Sequence, residues 1–386
     1  MTPAARLAAA ADILDGVLGG EPAERALLRW SRGARYAGSK DRAAVRDHVF
    51  DALRRRRSLA WLGGSETGRG LVLGALRADG LDVASLMTGE GHALAPPRDD
   101  EPARDLGEAP EGVRLDVPDW LLPRLRTSLG PDLERACEAL RERAPVHLRA
   151  NLLKATRDGA VRALAKEGIE TEPIGGVATA LAVIRGAGAV ARSRAYAEGL
   201  VELQDASSQA AVLALPLKDG DRVLDLCAGG GGKTLAMGAR ARLHLYAHDA
   251  APRRMADLPA RAARAGVAVE VLDDSRARAP FDLVLVDAPC SGSGTWRRTP
   301  DAKWRLTPER LASLVALQSE LIDEAAGLVA PGGHLAFSTC SILDEEGPSQ
   351  ATGFLARRPG WMEEGRFVMR PGPGGDGFFQ AVLRRS

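Results

Sequence analysis

The alternation of apolar and polar positions divides the chain into two kinds of text. Over residues 1 to about 92 the apolar side chains recur at helical spacing: Leu7, Ile13, Leu14, Val17 and Leu18, then Leu27, Leu28 and Trp30, then Val45, Val49, Phe50 and Leu53. That recurrence puts one apolar stripe on each segment and predicts a small all-helical domain. From residue 221 the pattern changes to short apolar runs, DRVLDL, HLYAHD, VAVEVLD, FDLVLVD and HLAFSTC, separated by helical segments. Runs apolar on both faces and alternating with helices predict a parallel, doubly wound α/β sheet. Near the end, RFVMRPGPGGDGFFQAVLRR reads as two antiparallel strands with a Gly/Pro-rich connection.

The middle of the chain is mixed. ALAPPRDDEPARDLGEAPEGVRLDVP, residues 93 to 118, is rich in proline and acid and predicts a linker. A helical stretch over 119 to 142 precedes the strand VHLRANLL (146–153), the helix TRDGAVRALAKEG, and the strands IETEPI and ALAVIRG. Three regions follow: residues 1–118, helical plus linker; 119–205, a small α+β region; and 206–386, the doubly wound domain.

Composition changes this picture little. The 386 residues carry a net charge of +1, with 27% charged and 45% hydrophobic residues, which excludes a uniformly basic nucleic-acid binder. A regional excess exists: residues 1 to 70 hold 13 Lys/Arg against 8 Asp/Glu, clustered at Arg42, Arg46 and Arg54 to Arg57. It suits an RNA surface or simply a solvated helix face. Cys137, Cys227, Cys290 and Cys340 have no metal-site spacing, so no structural metal is expected. Asp12 and Asp15 interrupt any signal-peptide core, and no apolar run is long enough to span a bilayer, so a reducing cytoplasm and no membrane partner are expected.

The chemistry begins at VLDLCAGGGGKT, residues 223 to 234. A phosphate-binding P-loop would need glycine at 227, and Cys227 stands there. The alternative is the first strand-to-helix turn of a doubly wound sheet, in which Cys227, Ala228, Gly229, Gly230, Gly231 and Gly232 let the backbone approach a nucleoside-type cofactor. Asp249 closes the second strand, where an acid commonly takes ribose hydroxyls; Asp273 and Asp274 close the third and Asp287 the fourth. Carboxylates around a site repel a triphosphate and suit a cationic, diol-bearing ligand, which favours S-adenosylmethionine while leaving NAD open on geometry alone. Cys290 lies just beyond the fourth strand and Cys340 at the end of the fifth. A lone buried cysteine is ordinarily a small hydrophobe, but two thiols at the carboxyl ends of two strands of one sheet point to chemistry.

Taken together, LQDASSQ (203–209), DLCAGGGGKT, VDAPCSGSGTWRRTPDAKW (286–304), FSTCSIL (337–343) and DGFF (376–379) resemble the RNA 5-methylcytosine methyltransferases that use two active-site cysteines. The helices with SKDRAAVRDHVFDALRRRRSL (39–59) resemble the NusB-like domain of the bacterial Sun/RsmB branch, which modifies small-subunit ribosomal RNA. The resemblance implies a Rossmann-like S-adenosylmethionine-dependent sheet preceded by an α+β RNA-recognition region and a NusB-like all-α domain, and a monomer acting on RNA. It makes Cys340 the nucleophile at cytosine carbon 6, Cys290 the thiol that assists release, Asp287 the acid at ring N3, and Lys233 the residue that orients loop and carboxylates. It makes Arg149 and Asn151 RNA-contacting residues. Trp296, Arg297, Arg298, Lys303 and Trp304 form a basic, aromatic-bearing stretch suited to phosphate contact and base stacking. The chain departs from the family at Gly230 and Gly231, where proline or alanine is frequent, and at Gly347, where asparagine is frequent. A P-loop ATPase, a DNA cytosine methyltransferase and a non-catalytic assembly factor are the competing classes.

Overall fold

A computed structural model describes all residues 1–386 and divides them into two compact units: Met1–Arg143 with Trp296–Thr307, and Ala144–Thr295 with Pro308–Ser386.

In the first unit the predicted apolar stripes close on one another. Helices Pro3–Leu18, Ala23–Gly33, Ser39–Arg54, Arg56–Gly63 and Gly68–Ala78 bury Leu7, Ile13, Leu14, Val45, Val49, Leu53, Leu59 and Leu71 in one core. Glycine permits the tightest contact: a Cβ at Gly74 would stand 2.0 Å from the carbonyl oxygen of Leu59, so the last two of these helices meet backbone to backbone. The Pro/acid stretch is not a free linker. Glu101 is buried and accepts from both Nε and Nη2 of Arg69, while Arg57 donates to the Val117 carbonyl and Ser58 donates to the buried carboxylate of Asp116. The stretch therefore belongs to the helical unit, because its acids have arginine and backbone N–H partners waiting there. Helices Leu122–Leu129 and Leu133–Arg141 belong to the same unit.

The second unit opens with a four-stranded antiparallel sheet of β1 (His147–Ala150), β2 (Glu170–Pro173), β3 (Ala180–Arg185) and β4 (Val201–Leu203), in the order β2-β3-β1-β4. The seven-stranded sheet follows: β5 (Arg222–Asp225), β6 (His244–Ala247), β7 (Glu270–Val271), β8 (Phe281–Asp287), β9 (Val329–Thr339), β10 (Trp361–Met369) and β11 (Phe378–Arg385), ordered β10-β11-β9-β8-β5-β6-β7. β5 to β9 are parallel, and the last two strands run antiparallel as a closing hairpin. β8 is central because its side chains Leu283, Val284, Leu285 and Val286 are buried on both faces. β7 shrinks to two residues from the longer expected run, since it is an edge with one neighbour and both residues are exposed. From β5 the chain winds to β6 and β7 on one side, then returns to β8 on the other. That reversal opens a crevice at the carboxyl ends of β5, β6 and β8, where ligands bind in open α/β sheets.

Candidate active site

The glycine turn leaves β5 at Asp225 and enters the short helix Gly232–Gly238. Gly229 and Gly231 have φ of 50° and 80°, a region costly for a side chain, and a Cβ at Gly231 would stand 2.2 Å from Cδ1 of Leu258. The turn is thus a bare-backbone cradle, tied to the next strand by Asp249, whose Oδ2 accepts from the Gly229 N–H at 3.0 Å and whose Oδ1 accepts from Ala251 at 2.9 Å. Arg254 pairs with the same carboxylate at 3.0 Å. Asp225 is fully buried; Thr234 donates to its Oδ2 at 2.6 Å, and Oδ1 has no protein partner. Burial first, then the charges of Asp287 and Asp249, push its carboxyl up to about 7 despite the Thr234 bond. Cys227 is likewise pushed up to about 12, by burial and the same carboxylates, so it packs as a neutral thiol. Cradle, Asp249 and an orphaned buried carboxylate oxygen fit a cationic nucleoside with a free diol, and the crowding acids oppose a triphosphate. Asp274 is exposed and accepts from the Arg276 N–H at 3.0 Å.

The other half of the site gathers at the ends of β8 and β9. Nζ of Lys233 lies 2.6 Å from Oδ2 of Asp287 and 5.0 Å from the centre of the Phe378 ring. Burial would lower the ammonium, but Asp287 outweighs it and raises the pKa, so Lys233 stays charged. Sγ of Cys290 is 3.4 Å from Sγ of Cys340, although the two residues are 50 apart in sequence. The thiols are unequal. Cys340 is held below its ordinary range, first by the hydrogen bond from Cys290 and further by the charge of Lys233, against burial and Asp287. Cys290, which gives that hydrogen bond, is buried and faces the charge of Glu346, is pushed well above it. A thiol that ionises more easily, beside one that holds its proton, provides a nucleophile next to a proton-bearing partner.

The residues expected to meet RNA are placed otherwise. Arg149 is 4% exposed; its guanidinium donates to the Gly232 carbonyl at 2.8 Å and to Oε1 of Gln204, so it braces the glycine turn. Asn151 donates to the Gly199 and Ala265 carbonyls at 2.9 and 2.7 Å. Trp296, Arg297 and Lys303 are buried, and Lys303 donates to the Arg54 carbonyl at 3.2 Å while Trp304 donates from its indole to Leu53 at 2.6 Å. Burial pulls the Lys303 ammonium down to about 8, the reverse of what a solvated phosphate-binding lysine needs. Only Arg298 of this set is exposed. Basic and aromatic side chains suit an RNA surface and a clasp between protein segments equally well, and here they form the clasp.

Two further residues of the site were given no role by the sequence, although Asp205 lies within LQDASSQ. His147 Nδ1 meets Asp205 Oδ2 at 3.0 Å, and Asp205 Oδ1 also accepts from Ser207 and from the Asp376 amide, joining β1, the helix Ala206–Leu213 and the turn before β11. Glu346, beside the conspicuous Gly347, is the second; its position in an acid pair after the Thr-Cys motif was the available clue. Gly347 itself backs onto Phe379, whose Cγ would lie 2.9 Å from an added Cβ.

Known proteins place this geometry. Residues 212–383 match the model of the 16S rRNA methyltransferase RsmB/F family, and residues 117–190 match its ferredoxin-like domain. Ribosomal RNA small subunit methyltransferase B of Salmonella arizonae is 36% identical over 291 residues, covering 71% of this chain and 68% of the relative. That of Pectobacterium carotovorum is 36% identical over 283 residues, covering 69% and 66%. The chain thus spans about two thirds of these relatives' length. Among solved structures, PH0851 matches with a TM-score of 0.76 at 24% identity over 100% of this chain and 99% of its own. NSun6 from Pyrococcus horikoshii with SFG matches at 0.61 and 18%, over 70% of this chain and 98% of its own, and both likenesses concern the fold alone. On the sequence matches, and on a sheet whose glycine turn and strand-end acids fit S-adenosylmethionine, the chain belongs to the RsmB/F family of S-adenosylmethionine-dependent rRNA methyltransferases.

Proposed function

We propose that this protein methylates carbon 5 of a cytosine in small-subunit ribosomal RNA through a covalent cysteine adduct at carbon 6. The observation that carries the reading is the Cys290–Cys340 pair, 3.4 Å apart with the Lys233–Asp287 ion pair beside it. Carbon 5 of cytosine is a weak nucleophile until a group adds at carbon 6. The Cys340 thiolate forms a bond to carbon 6, and the ring double-bond pair moves to carbon 5. When bound on the glycine turn, with Asp249 at its ribose, S-adenosylmethionine supplies the methyl group. A proton shared between Asp287 and ring N3 eases the addition. Cys290 assists release: the carbon 5 proton passes to water, the ring double bond re-forms, and the electron pair of the sulfur–carbon 6 bond returns to Cys340. The target base must leave its stack for Cys340 to reach carbon 6.

A DNA-type mechanism would give the attack to Cys290. The unequal thiols favour Cys340, since the one beside Lys233 ionises more easily. Bisulfite sequencing of ribosomal RNA from cells with and without the protein tests the substrate. One cytosine that loses protection in the deletion and regains it on complementation is expected; an unchanged small-subunit pattern overturns the reading.

A further inference from the structure

Glu346 has no exposed surface and no role in the reaction as described, yet its carboxylate accepts four hydrogen bonds. Oε1 accepts from the Ser291 N–H at 2.8 Å and from Nε2 of Gln318 at 3.1 Å. Oε2 accepts from the Ser341 hydroxyl at 2.6 Å and from the Ser291 hydroxyl. The Glu346 carbonyl accepts from Thr339 at 2.9 Å, and Ser341 meets Ser293 at 2.8 Å. Ser291 follows Cys290, and Ser341 follows Cys340. One side chain therefore holds the residue next to each thiol, and its charge is felt at Cys290.

We propose that Glu346 is a positioning residue for the thiol pair: its carboxylate clamps the Cys290 loop to the Cys340 loop and places a negative charge on the Cys290 side. The proposal rests on the two-thiol reading above. The ladder of β8 and β9 ends at Asp287 and Ser338, and beyond it the Gly294 N–H donates to the Cys340 carbonyl at 3.0 Å; a buried carboxylate with four donors adds a joint at the residues that follow the two thiols. The charge adds to the hydrogen bond with Cys340 and to burial, which already make Cys290 the harder thiol to ionise.

Two substitutions separate clamp from charge. In Glu346→Gln the amide oxygen takes the place of Oε1 toward Ser291 N–H and Gln318, and the amide nitrogen faces two serine hydroxyls that can turn to accept, so the joint survives without the charge. In Glu346→Ala the carboxylate joint is gone, and only the Gly294–Cys340 backbone bond and the serine contacts still link the loops. Full-length variants are compared for S-adenosylmethionine affinity by calorimetry, for methyl transfer, and for the rates at which limiting iodoacetamide alkylates Cys340 and Cys290, resolved by mass spectrometry between pH 6 and pH 10. Glu346→Gln is expected to keep cofactor affinity within about twofold while the Cys340-to-Cys290 rate ratio at pH 7 falls roughly three- to tenfold. Glu346→Ala is expected to lose about a hundredfold in methyl transfer with cofactor affinity retained, as a displacement of reacting groups by about 1 Å would give. An unchanged alkylation ratio in Glu346→Gln overturns the charge, and transfer within about twofold of the parent in Glu346→Ala, or parallel loss of cofactor affinity, overturns the clamp. If Glu346→Ala does not fold, the Glu346→Gln ratio decides alone. A parent protein that methylates no cytosine would remove the proposed function, while the alkylation ratios would still decide the role of Glu346.

Discussion

Nζ of Lys233 and Oδ2 of Asp287 lie 2.6 Å apart, so the lysine that follows the glycine turn and the acid that closes β8 form one ion pair. Its positive end is among the charges that ease ionisation of Cys340. Lys233→Met removes that charge, which raises the thiol pKa and moves the acid limb of Cys340 reactivity to higher pH. Each unit of upward shift lowers the thiolate fraction at pH 7 about tenfold. Alkylation of Cys340 as a function of pH reads the effect directly, and Lys233→Arg should restore most of it. An unmoved midpoint in Lys233→Met would show that the hydrogen bond from Cys290 alone sets the thiol.

The division of labour between the thiols is expected to show on a denaturing gel with labelled RNA and S-adenosylmethionine. Cys340→Ser has no thiolate to add to carbon 6, since a serine hydroxyl stays protonated near neutrality, and should give neither turnover nor adduct. Cys290→Ser should add and transfer the methyl group but release slowly, so that a protein–RNA adduct accumulates. Adduct in the first variant and none in the second reverses the assignment. Adduct in neither removes support for covalent catalysis.

How far this site could be read from sequence follows from what each residue depends on. Asp249, Asp287, Cys290 and Cys340 stand at or just beyond the ends of apolar runs, and in a parallel sheet the end of a run is also a place in space, so period and punctuation point them to one end of the sheet. The hairpin β10–β11 was legible for the same reason, through its Gly/Pro connection. The chemistry of Lys303 and Trp304 is ambiguous until the facing surface is known: the same indole and ammonium that suit a nucleotide here donate to the Leu53 and Arg54 carbonyls. Glu346 escaped because its partners, Ser291, Gln318 and Ser341, come from three separate segments, and no local pattern marks a meeting of that kind.

Asp205 should govern the acid stability of the second unit. Burial would raise its carboxyl, but hydrogen bonds from His147, Ser207 and the Asp376 amide outweigh burial and hold it below the ordinary carboxylate range. A depressed folded pKa stabilises above the unfolded value, near 4, and that contribution fades as pH falls below it. Asp205→Asn is therefore expected to lose about 2 to 3 kcal/mol at pH 7. The gap to the parent should narrow steadily below about pH 4. Denaturant unfolding at a series of pH values measures it. A gap constant from pH 7 to pH 3 would mean that shape, not charge, carries the contribution.

The segment Trp296–Thr307 makes the helical unit more than a detachable RNA module. The chain enters this segment soon after Cys290, and within the first unit Lys303 and Trp304 donate to Arg54 and Leu53, Arg54 Nε donates to the Arg297 carbonyl at 2.7 Å, and the Arg56 guanidinium lies 5.3 Å from the centre of the Trp304 ring. Deleting residues 1 to 115 would remove the carbonyl partners of Lys303 and of the Trp304 indole and expose the apolar surface of this segment to water. A truncated chain is thus expected to aggregate or lose methyl transfer, beyond any fall in RNA affinity. Trp304→Ala in the full chain separates the two effects: it should lower the first unit's stability by about 3 kcal/mol. It should also slow methyl transfer while S-adenosylmethionine affinity stays within about twofold, because the cofactor cradle is built from β5 and β6. Thermal unfolding, calorimetry and single-turnover methylation at saturating RNA provide the comparison. Full single-turnover rate in Trp304→Ala, together with an active, soluble truncated chain, would show that the clasp serves only the folding of the helical unit.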